Sequence, residues 1–286
     1  MADFRACPRK MAWEHIHHFK PRTPNVHLHA GGAYAHGLEV ARRAFFERGE
    51  PAEDSVAMGL QALMQFYGSF ECPEDSPKSL ERTAGALLYY FERYPLEEEK
   101  AIPSHLADRR GIEFSFTEPL PIDHPETGEP LLYCGRMDQI VDFAGARYGE
   151  DDKTTSQLGA SWPRQWDLRS QFTGYCWGAA RAGYPLQGFI IRGVSILKTK
   201  YDTLEAITYR PQFMIDRWEA QLLRDVKRAI QCWEEGYWDY NLDESCQAFG
   251  GCIFRKACMS DDPQPWLEVD FIRRKWDPVT RKETDL

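Results

Sequence analysis

The first part of the chain has apolar residues at every third or fourth position, which is the spacing of amphipathic helices. In one segment the apolar face is marked by Leu60, Leu63 and Tyr67. This pattern predicts that region 49–111 is a helical insertion ahead of a sheet. The predicted helices lie at 6–20, with a proline early where helices tolerate it, and at 31–48, 54–68 and 79–94.

From Ile112 onward, apolar and polar residues alternate, as they do along β-strands. The stretch 135–153 has an apolar, partly β-branched centre interrupted at Ala144-Gly145-Ala146, so it predicts two strands joined by a tight turn. A strongly apolar run at Phe189–Leu197 is typical of the middle of a covered sheet. With the helices predicted at Asp167–Ala182 and 211–236, the pattern favours an α/β protein whose small mixed sheet is flanked by helices.

Composition narrows the class of protein. The chain has 286 residues, of which 43% are hydrophobic, and this supports an ordinary globular core. No apolar run reaches the length of a membrane span, and the start lacks the apolar region of a secretory signal, so we expect a cytoplasmic protein without membrane contact. The net charge of −9 argues against a basic coat over the whole surface, but a local basic groove for nucleic acid is compatible with it.

Acidic residues lie on both sides of the predicted tight turn. Folding the hairpin about Gly145 places Asp138 roughly opposite Asp151 and Asp152. Because side chains alternate along a strand, Asp151 and Lys153 share a face while Asp152 points away. Two carboxylates and one ammonium group suit a hard divalent cation with a water or phosphate beside it, if a local bulge corrects any error of register. An exposed acidic hairpin with one neutralising lysine would give the same pattern.

Two other pairs of polar residues have helical spacing. His36 and Glu39 are three residues apart, and Gln171 and Tyr175 are four apart, so each pair projects from one face of a helix. A lone histidine in a helix is usually structural, and a half-buried tyrosine near an amide is common in helices. Either pair alone is therefore compatible with a purely structural role.

The eight cysteines favour metal ligands or free thiols over disulfides in a chain without a secretory signal. Cys246, Cys252 and Cys258 are separated by five residues each, which is not the CxxC spacing of a zinc ribbon. Three cysteines leave one ligand missing for a tetrahedral zinc site or a cubane cluster, and Cys7 can supply it if the N-terminal helix returns to the C-terminal end of the fold. We expect the others to be dispensable thiols: Cys72, Cys134, Cys176 and Cys232.

Several of these residues together resemble the PD-(D/E)XK nuclease superfamily. Its core, G-x-x-D followed by D-x-K and two threonines, is matched by Gly135, Asp138, Asp151, Lys153, Thr154 and Thr155. The first motif of RecB-type nucleases, G-x-x-x-H-x-L-E, is similar to Gly32, His36, Leu38 and Glu39. Their third motif, Q-x-x-x-Y, is similar to Gln171 and Tyr175. One cysteine before the core and three after it resemble the iron–sulfur RecB-type exonucleases, which include CRISPR-associated and phage RecB-like nucleases. The even five-residue gaps depart from the CxxC pair that these relatives often have.

The resemblance implies a restriction-endonuclease-like core in a single nuclease domain over 1–286, with the catalytic core at 112–209 and a cysteine cluster at 246–258 joined by Cys7. It implies that Mg²⁺ or Mn²⁺ is held by His36, Asp138 and Asp151. The implied catalytic residues are Asp138, Asp151, Lys153, Gln171 and Tyr175. The implied ligands of an iron–sulfur cluster, of the 4Fe-4S type or with Zn²⁺ as the alternative, are Cys7, Cys246, Cys252 and Cys258.

On this resemblance we expect a metal-dependent DNA nuclease, specifically an exonuclease, that hydrolyses phosphodiester bonds in DNA processing, repair or recombination. The expected partner is DNA that is single-stranded or has single-stranded ends, and a homo-oligomer or a recombination or helicase partner is compatible with the sequence. Two alternatives stay open: a catalytically silent nucleic-acid-binding protein and a zinc-stapled interaction module. The tail beyond Cys258 is predicted to be partly disordered and weakly basic.

Overall fold

The chain folds into two compact units, each built from separate segments of the sequence. A computed structural model describes residues 1–23, 25–248, 251–280 and 282–286. We call Asn25–Phe116 with Gly135–Ile215 the central unit, and Met1–Pro24, Thr117–Cys134 and Asp216–Leu286 the terminal unit. The residues expected to act in catalysis belong to the central unit, and the four cysteines expected to bind a cluster belong to the terminal unit. The single nuclease domain expected over 1–286 stays a prediction.

Helices and strands are both present along the chain, in the mixed α/β arrangement that the pattern predicts. The helices are α1 (Ala2–Ala6), α2 (Pro8–Met11), α3 (Val26–Phe46), α4 (Ala52–Tyr67), α5 (Leu80–Arg93), α6 (Ser170–Arg181), α7 (Gln212–Glu234), α8 (Glu244–Gln247), α9 (Arg255–Cys258) and α10 (Gln264–Asp270). The strands are β1 (Phe19–Pro21), β2 (Ile102–Pro103), β3 (His105–Leu106), β4 (Arg109–Arg110), β5 (Ile112–Asp123), β6 (Pro130–Phe143), β7 (Ala146–Thr155), β8 (Gly188–Ile196), β9 (Tyr201–Tyr209), β10 (Phe271–Asp277) and β11 (Lys282–Asp285). Within the described ranges, none of these helices combines the length and the apolar character that crossing a membrane requires.

The helices α3, α4 and α5 confirm the predicted helical segments and show how they begin. The Asn25 side chain accepts hydrogen bonds from the backbone N–H groups of His27 and Leu28, so α3 starts ahead of residue 31, where the predicted helix begins. Ser79 caps α5 in the same way, by accepting from the backbone of Arg82. Side-chain caps satisfy N–H groups that have no partner within the helix, and these two fix the start of their helices.

The N-terminal segment differs from the single helix predicted over 6–20. The first helix, α1, ends at Ala6. Cys7 then has an extended backbone, with φ −165° and ψ 113°, before Pro8 begins α2. A π-helical turn and the strand β1 follow. The prediction was wrong because a proline at the first helical position marks a new start, which separates two short helices rather than continuing one.

The main sheet of the chain has the order β2-β6-β7-β8-β9, and β5 also pairs with β6. β7 and β8 are parallel, whereas the β2–β6, β6–β7 and β8–β9 pairs are antiparallel, so the sheet is mixed as predicted. Every residue of β8 is buried, as expected for a covered central strand. β2 lies inside the region predicted as a helical insertion, 49–111, which therefore also contributes a short strand to the sheet. A strand of two residues has no periodicity from which it could be predicted.

The helices α3, α4 and α5 of the central unit pack together and against β8. Their buried core includes Leu38, Leu63 and Leu87. α3 and α4 approach closely at two glycines: a Cβ atom added to Gly59 would lie 2.5 Å from the Gly37 carbonyl oxygen. Because real Cβ atoms do not approach a backbone oxygen so closely, the crossing of these helices depends on glycine.

In the terminal unit, the described residues beyond Cys258 form α10, β10 and β11, regular structure that the prediction of a partly disordered tail did not include. β1 pairs antiparallel with β10, with Phe19 opposite Arg273, and β10 pairs with β11. Phe254 stacks on Phe271 with ring centroids 4.6 Å apart. The local pattern missed this structure because the partner strand β1 lies at the other end of the chain.

Candidate active site

The β6–β7 hairpin places three of the predicted site residues on one face of the sheet. Its two-residue turn has positive φ angles at Ala144 (50°) and Gly145 (79°), which confirms the predicted tight turn. The register pairs Gln139 with Glu150, and continuing it by one residue places Asp138 opposite Asp151. Directly opposite residues share a face of the sheet, and Lys153, two residues further on, lies on that face and forms an ion pair with Asp151.

Burial and charge together determine the ionisation of this group. Burial raises the pKa of Asp138 well above its usual range, and the charges of Asp151 and Asp152 raise it further. Burial also raises the pKa of Asp151, although Lys153 opposes the change. Burial acts to lower the pKa of Lys153, but Asp151 and Asp138 outweigh it and the pKa is raised. The face therefore holds a lysine cation beside two carboxyl groups for which negative charge is costly.

Helix α6 brings its polar pair to the same neighbourhood. Gln171 Nε2 donates a hydrogen bond to the Tyr175 hydroxyl at 3.1 Å. Burial raises the pKa of Tyr175, and the charges of Asp151, Lys153 and Asp138 also act on it. The structure therefore brings together the five residues expected to act in catalysis, in an arrangement that offers carboxylate oxygens, an ammonium group and a phenol.

The opposite face of β7 carries a buried ionic network that the sequence argument missed. Arg42 on α3 donates to Asp152 Oδ2 at 2.6 Å and to Glu150 Oε1 at 2.8 Å. Gln139 Nε2 donates to the same Glu150 oxygen at 2.8 Å. Burial raises the pKa of Glu150 to about 7, against the lowering effect of the nearby guanidinium groups. Asp152 therefore points away from Asp151, as alternation predicts. Arg42 itself could have indicated this network, because it lies four residues after Leu38 and therefore on the apolar face of its helix.

His36 is the predicted metal ligand that the structure does not place with the two aspartates. It belongs to α3, which packs on the face of β7 that carries Asp152, and its Nδ1 lies 3.5 Å from Glu39 Oε2. Its ring lies 5.8 Å from that of Phe66. Among the described residues, His36, Asp138 and Asp151 do not form a group whose ligand atoms all lie within 4.8 Å of one another. A metal role for His36 stays a prediction.

The described part of the chain does contain one such group, Asp3, Glu14 and His15 in the terminal unit. The Lys10 ammonium group lies 3.6 Å from a carboxylate oxygen of both acids, and His15 Nε2 lies 3.1 Å from Asp3 Oδ2. Lys10 thus offsets one of the two negative charges, and His15 contacts Asp3. We interpret the group as a cluster of ion pairs.

The four predicted cluster ligands lie near one another in the terminal unit. Asn241 Nδ2 donates to the Ala6 carbonyl at 2.7 Å, which brings the segment with Cys7 to the start of the segment with the other three cysteines. Burial raises the pKa of Cys258 to about 11, and the charges of Cys252, Cys7 and Cys246 add to this effect. Gly250, which precedes Cys252 in a glycine pair, lies outside the described residues.

The four cysteine side chains are not drawn together as the ligands of a bound zinc ion are. Among the described residues, no three cysteine sulfurs lie within 4.8 Å of one another. Zinc–sulfur bonds of about 2.3 Å in a tetrahedron would place the sulfurs about 3.8 Å apart. Cys252 and Cys258 pack against the aromatic cluster that includes Trp13 and Phe254. The site is therefore a group of neighbouring cysteines, two of which pack against an apolar cluster.

Comparison with known proteins gives weak likenesses. No family model matches the chain, and no curated protein matches it. Among solved structures, the chain is similar to a protein from Eubacterium rectale named "Putative exonuclease", with a TM-score of 0.45, 14% identity, and coverage of 80% of this chain and 76% of that one. It is also similar to SSO0001, with a TM-score of 0.34, 15% identity, and coverage of 90% and 95% respectively. Similarity at these scores establishes neither a shared family nor a shared activity, and the class that the coordinates themselves define is a mixed α/β fold.

Proposed function

We propose that the protein is a metal-dependent deoxyribonuclease, specifically an exonuclease, that hydrolyses phosphodiester bonds in DNA. The observation that carries this proposal is the convergence of Asp138, Asp151 and Lys153 on one face of the β6–β7 hairpin. The polar pair of α6 lies in the same neighbourhood. Ligands for a hard cation beside a fixed ammonium group suit the metal-assisted hydrolysis of a phosphodiester.

The two aspartates fit a divalent cation. Burial raises the pKa of both carboxyl groups and nearby negative charge raises it further, so a positive ion bound to them would stabilise their ionised forms. Asp138 and Asp151 would hold Mg²⁺ or Mn²⁺, with His36 as a further proposed ligand. When bound, the metal supplies Lewis acidity and lowers the pKa of a coordinated water.

Lys153 and the residues of α6 would act on the substrate. The Lys153 ammonium group is held by Asp151 and would orient the attacking water or stabilise negative charge that develops on the phosphate. Tyr175, whose hydroxyl accepts a hydrogen bond from Gln171, would donate its own proton to a phosphate oxygen and so position the strand near Asp138. The expected substrate is DNA that is single-stranded or has single-stranded ends.

We further propose that Cys7, Cys246, Cys252 and Cys258 hold an iron–sulfur cluster of the 4Fe-4S type, with Zn²⁺ as the alternative. Support comes from the clustering of the four thiols, because the four irons of a cubane need four cysteine ligands. Such a cluster would join the N-terminal segment to the cysteine segment and stabilise the terminal unit.

The test is a titration of Mg²⁺ and Mn²⁺ with end-labelled single-stranded and double-stranded DNA. We expect metal-dependent release of label from DNA ends, and the same titration gives the polarity of cleavage. DNA binding without cleavage at any metal concentration would favour a catalytically silent binding protein. A protein that contains stoichiometric zinc and neither binds nor cleaves DNA would favour an interaction module.

A further inference from the structure

Arg42 joins helix α3 to strand β7 through contacts that are buried. It is 4% exposed, and its two terminal nitrogens donate to Asp152 Oδ2 at 2.6 Å, to Glu150 Oε1 at 2.8 Å and to the Tyr90 hydroxyl at 2.6 Å. A planar guanidinium holds several acceptors in one fixed relative geometry, which the single ammonium group of a lysine cannot do. Arg42 therefore fixes the side chain of Asp152 against the back of β7.

The backbone of Asp152 extends this contact to the candidate site. Its N–H group donates to Asp138 Oδ2 at 2.8 Å, where the hydrogen-bonded ladder between β6 and β7 gives way to a side-chain contact. A hydrogen bond to one carboxylate oxygen sets the orientation of the group and leaves its second oxygen for another ligand. The contacts thus run from the Arg42 guanidinium to the Asp152 carboxylate, and from the Asp152 N–H to the Asp138 carboxylate.

We propose that Arg42 is a positioning residue for Asp138 and acts through Asp152. The proposal rests on the proposed metal-dependent function, because it treats Asp138 as a metal ligand. Groups that hold a metal ligand by a hydrogen bond typically alter metal affinity by about 10- to 100-fold when they are changed. Arg42 reaches the site from the opposite face of the strand and contacts neither substrate nor metal.

Arg192 offers a matched control within the same network. It is also 4% exposed, and it donates to both carboxylate oxygens of Glu99 at 2.6 and 2.8 Å and to Glu205 at 2.9 Å. It shares the Tyr90 hydroxyl with Arg42. A loss of buried ion pairing at Arg192 therefore has the same general cost as at Arg42. Its hydrogen bonds run to β9 and to the segment before β2, and its guanidinium also lies 3.6 Å from Glu150 Oε1, but none of these contacts is with the Asp152 carboxylate.

The experiment compares Arg42→Lys with Arg192→Lys. Both variants should have a lower Tm than the wild-type protein, because each loses a buried forked contact. Only Arg42→Lys should speed hydrogen exchange of the Asp152 amide, by about tenfold or more, since that amide loses its fixed position. In calorimetry with Mn²⁺ alone, only Arg42→Lys should weaken binding, by about 10- to 100-fold.

If Arg42→Lys keeps the wild-type rate of exchange at the Asp152 amide and the wild-type affinity for Mn²⁺, the proposal is overturned. Changes of the same size in Arg192→Lys would overturn it too. If Arg42→Lys does not fold, Asp152→Asn weakens the same contact at constant side-chain volume and is judged by the same two measurements. A wild-type protein that binds no Mn²⁺ would count against the proposed function instead. In that case the Asp152 amide exchange still decides whether Arg42 holds this strand.

Discussion

Asp151 and Asp152 are adjacent in the sequence, yet their carboxylates serve opposite faces of β7. The Asp151 carboxylate pairs with Lys153 on the face that also carries Asp138. The Asp152 carboxylate accepts a hydrogen bond from Arg42 at 2.6 Å on the face covered by α3. Simple alternation along one strand thus separates a candidate catalytic face from a buried structural one.

Replacement of Lys153 tests the chemistry of the site. Lys153→Ala removes the ammonium group that would stabilise charge in the transition state, and such a group typically contributes about 10²- to 10³-fold in rate. We expect a loss of this size in single-turnover cleavage, with little change in folding or in DNA binding. Lys100→Ala, at an exposed lysine, serves as the control. Wild-type cleavage by Lys153→Ala would reject the site.

Replacement of the aspartates tests which face binds metal. Asp138→Ala and Asp151→Ala each remove a hard oxygen ligand, so each should abolish Mn²⁺ binding in calorimetry and Mn²⁺-dependent cleavage. His36→Ala should have a milder effect if it is an auxiliary ligand. Asp152→Asn should retain measurable Mn²⁺ binding, because its carboxylate lies on the other face. If Asp152→Asn alone abolished binding, the metal ligands would have to lie on the face that Arg42 covers.

The proposed cluster at the four cysteines predicts the colour and the stability of the purified protein. Protein purified without oxygen should be brown, with iron and sulfide in similar amounts, and serine at Cys7, Cys246, Cys252 or Cys258 should bleach it and lower its solubility. Serine at Cys72, which lies in the central unit, is the control and should change neither property. Colourless protein with stoichiometric zinc would keep the four-cysteine site but reject the cluster. Stable protein with neither metal would leave only thiols.

Lys78 predicts a pH dependence of stability that is separate from the active site. Its side chain is buried, at 2% exposure, and burial lowers the pKa of its amine from 10.5 to about 8. The folded state therefore binds fewer protons than the unfolded state between about pH 8 and 10.5, so the free energy of unfolding should rise with pH across this window. Below pH 8 the cost of burying the cation is complete, up to about 3 kcal/mol.

Lys78→Met should remove this cost and this slope. We expect a higher Tm at pH 7 and a flatter stability curve from pH 8 to 10.5, measured by chemical denaturation at each pH. The backbone contact in which the Lys78 carbonyl accepts from the Tyr67 hydroxyl at 2.6 Å stays in place. Lys100→Met provides the comparison at an exposed lysine. An unchanged slope in Lys78→Met would show that another group is responsible.

The sequence was sufficient for elements that have a strong local pattern. The period of the apolar residues predicts α3, α4 and α5, and the buried strand β8 follows from its apolar run. The two-residue turn at Ala144 and Gly145 and the common face of Asp138 and Asp151 follow from the hairpin pattern alone. These features depend on residues that are close together in the sequence, so the sequence alone is enough to predict them.

Long-range contacts were the limit of the sequence argument. The pairing of β1 with β10 joins the two ends of the chain, and no local pattern in either strand indicates its partner. The shared helical face of His36 and Glu39 predicts that they lie together, but it does not say which face of the sheet their helix covers. Arg42 was missed for the same reason, since its role depends on Asp152, more than a hundred residues later.

The glycine contact between α3 and α4 has a consequence for protein engineering. At the crossing, a Cβ atom added to Gly59 would lie 2.5 Å from the Gly37 carbonyl oxygen. This surface of α3 is therefore packed directly against α4. Excising 49–111 to obtain a minimal enzyme would uncover Leu38 and the rest of this apolar surface on the helix that holds Arg42. What the sequence pattern describes as an insertion is therefore part of the smallest version of this protein that can be expected to fold.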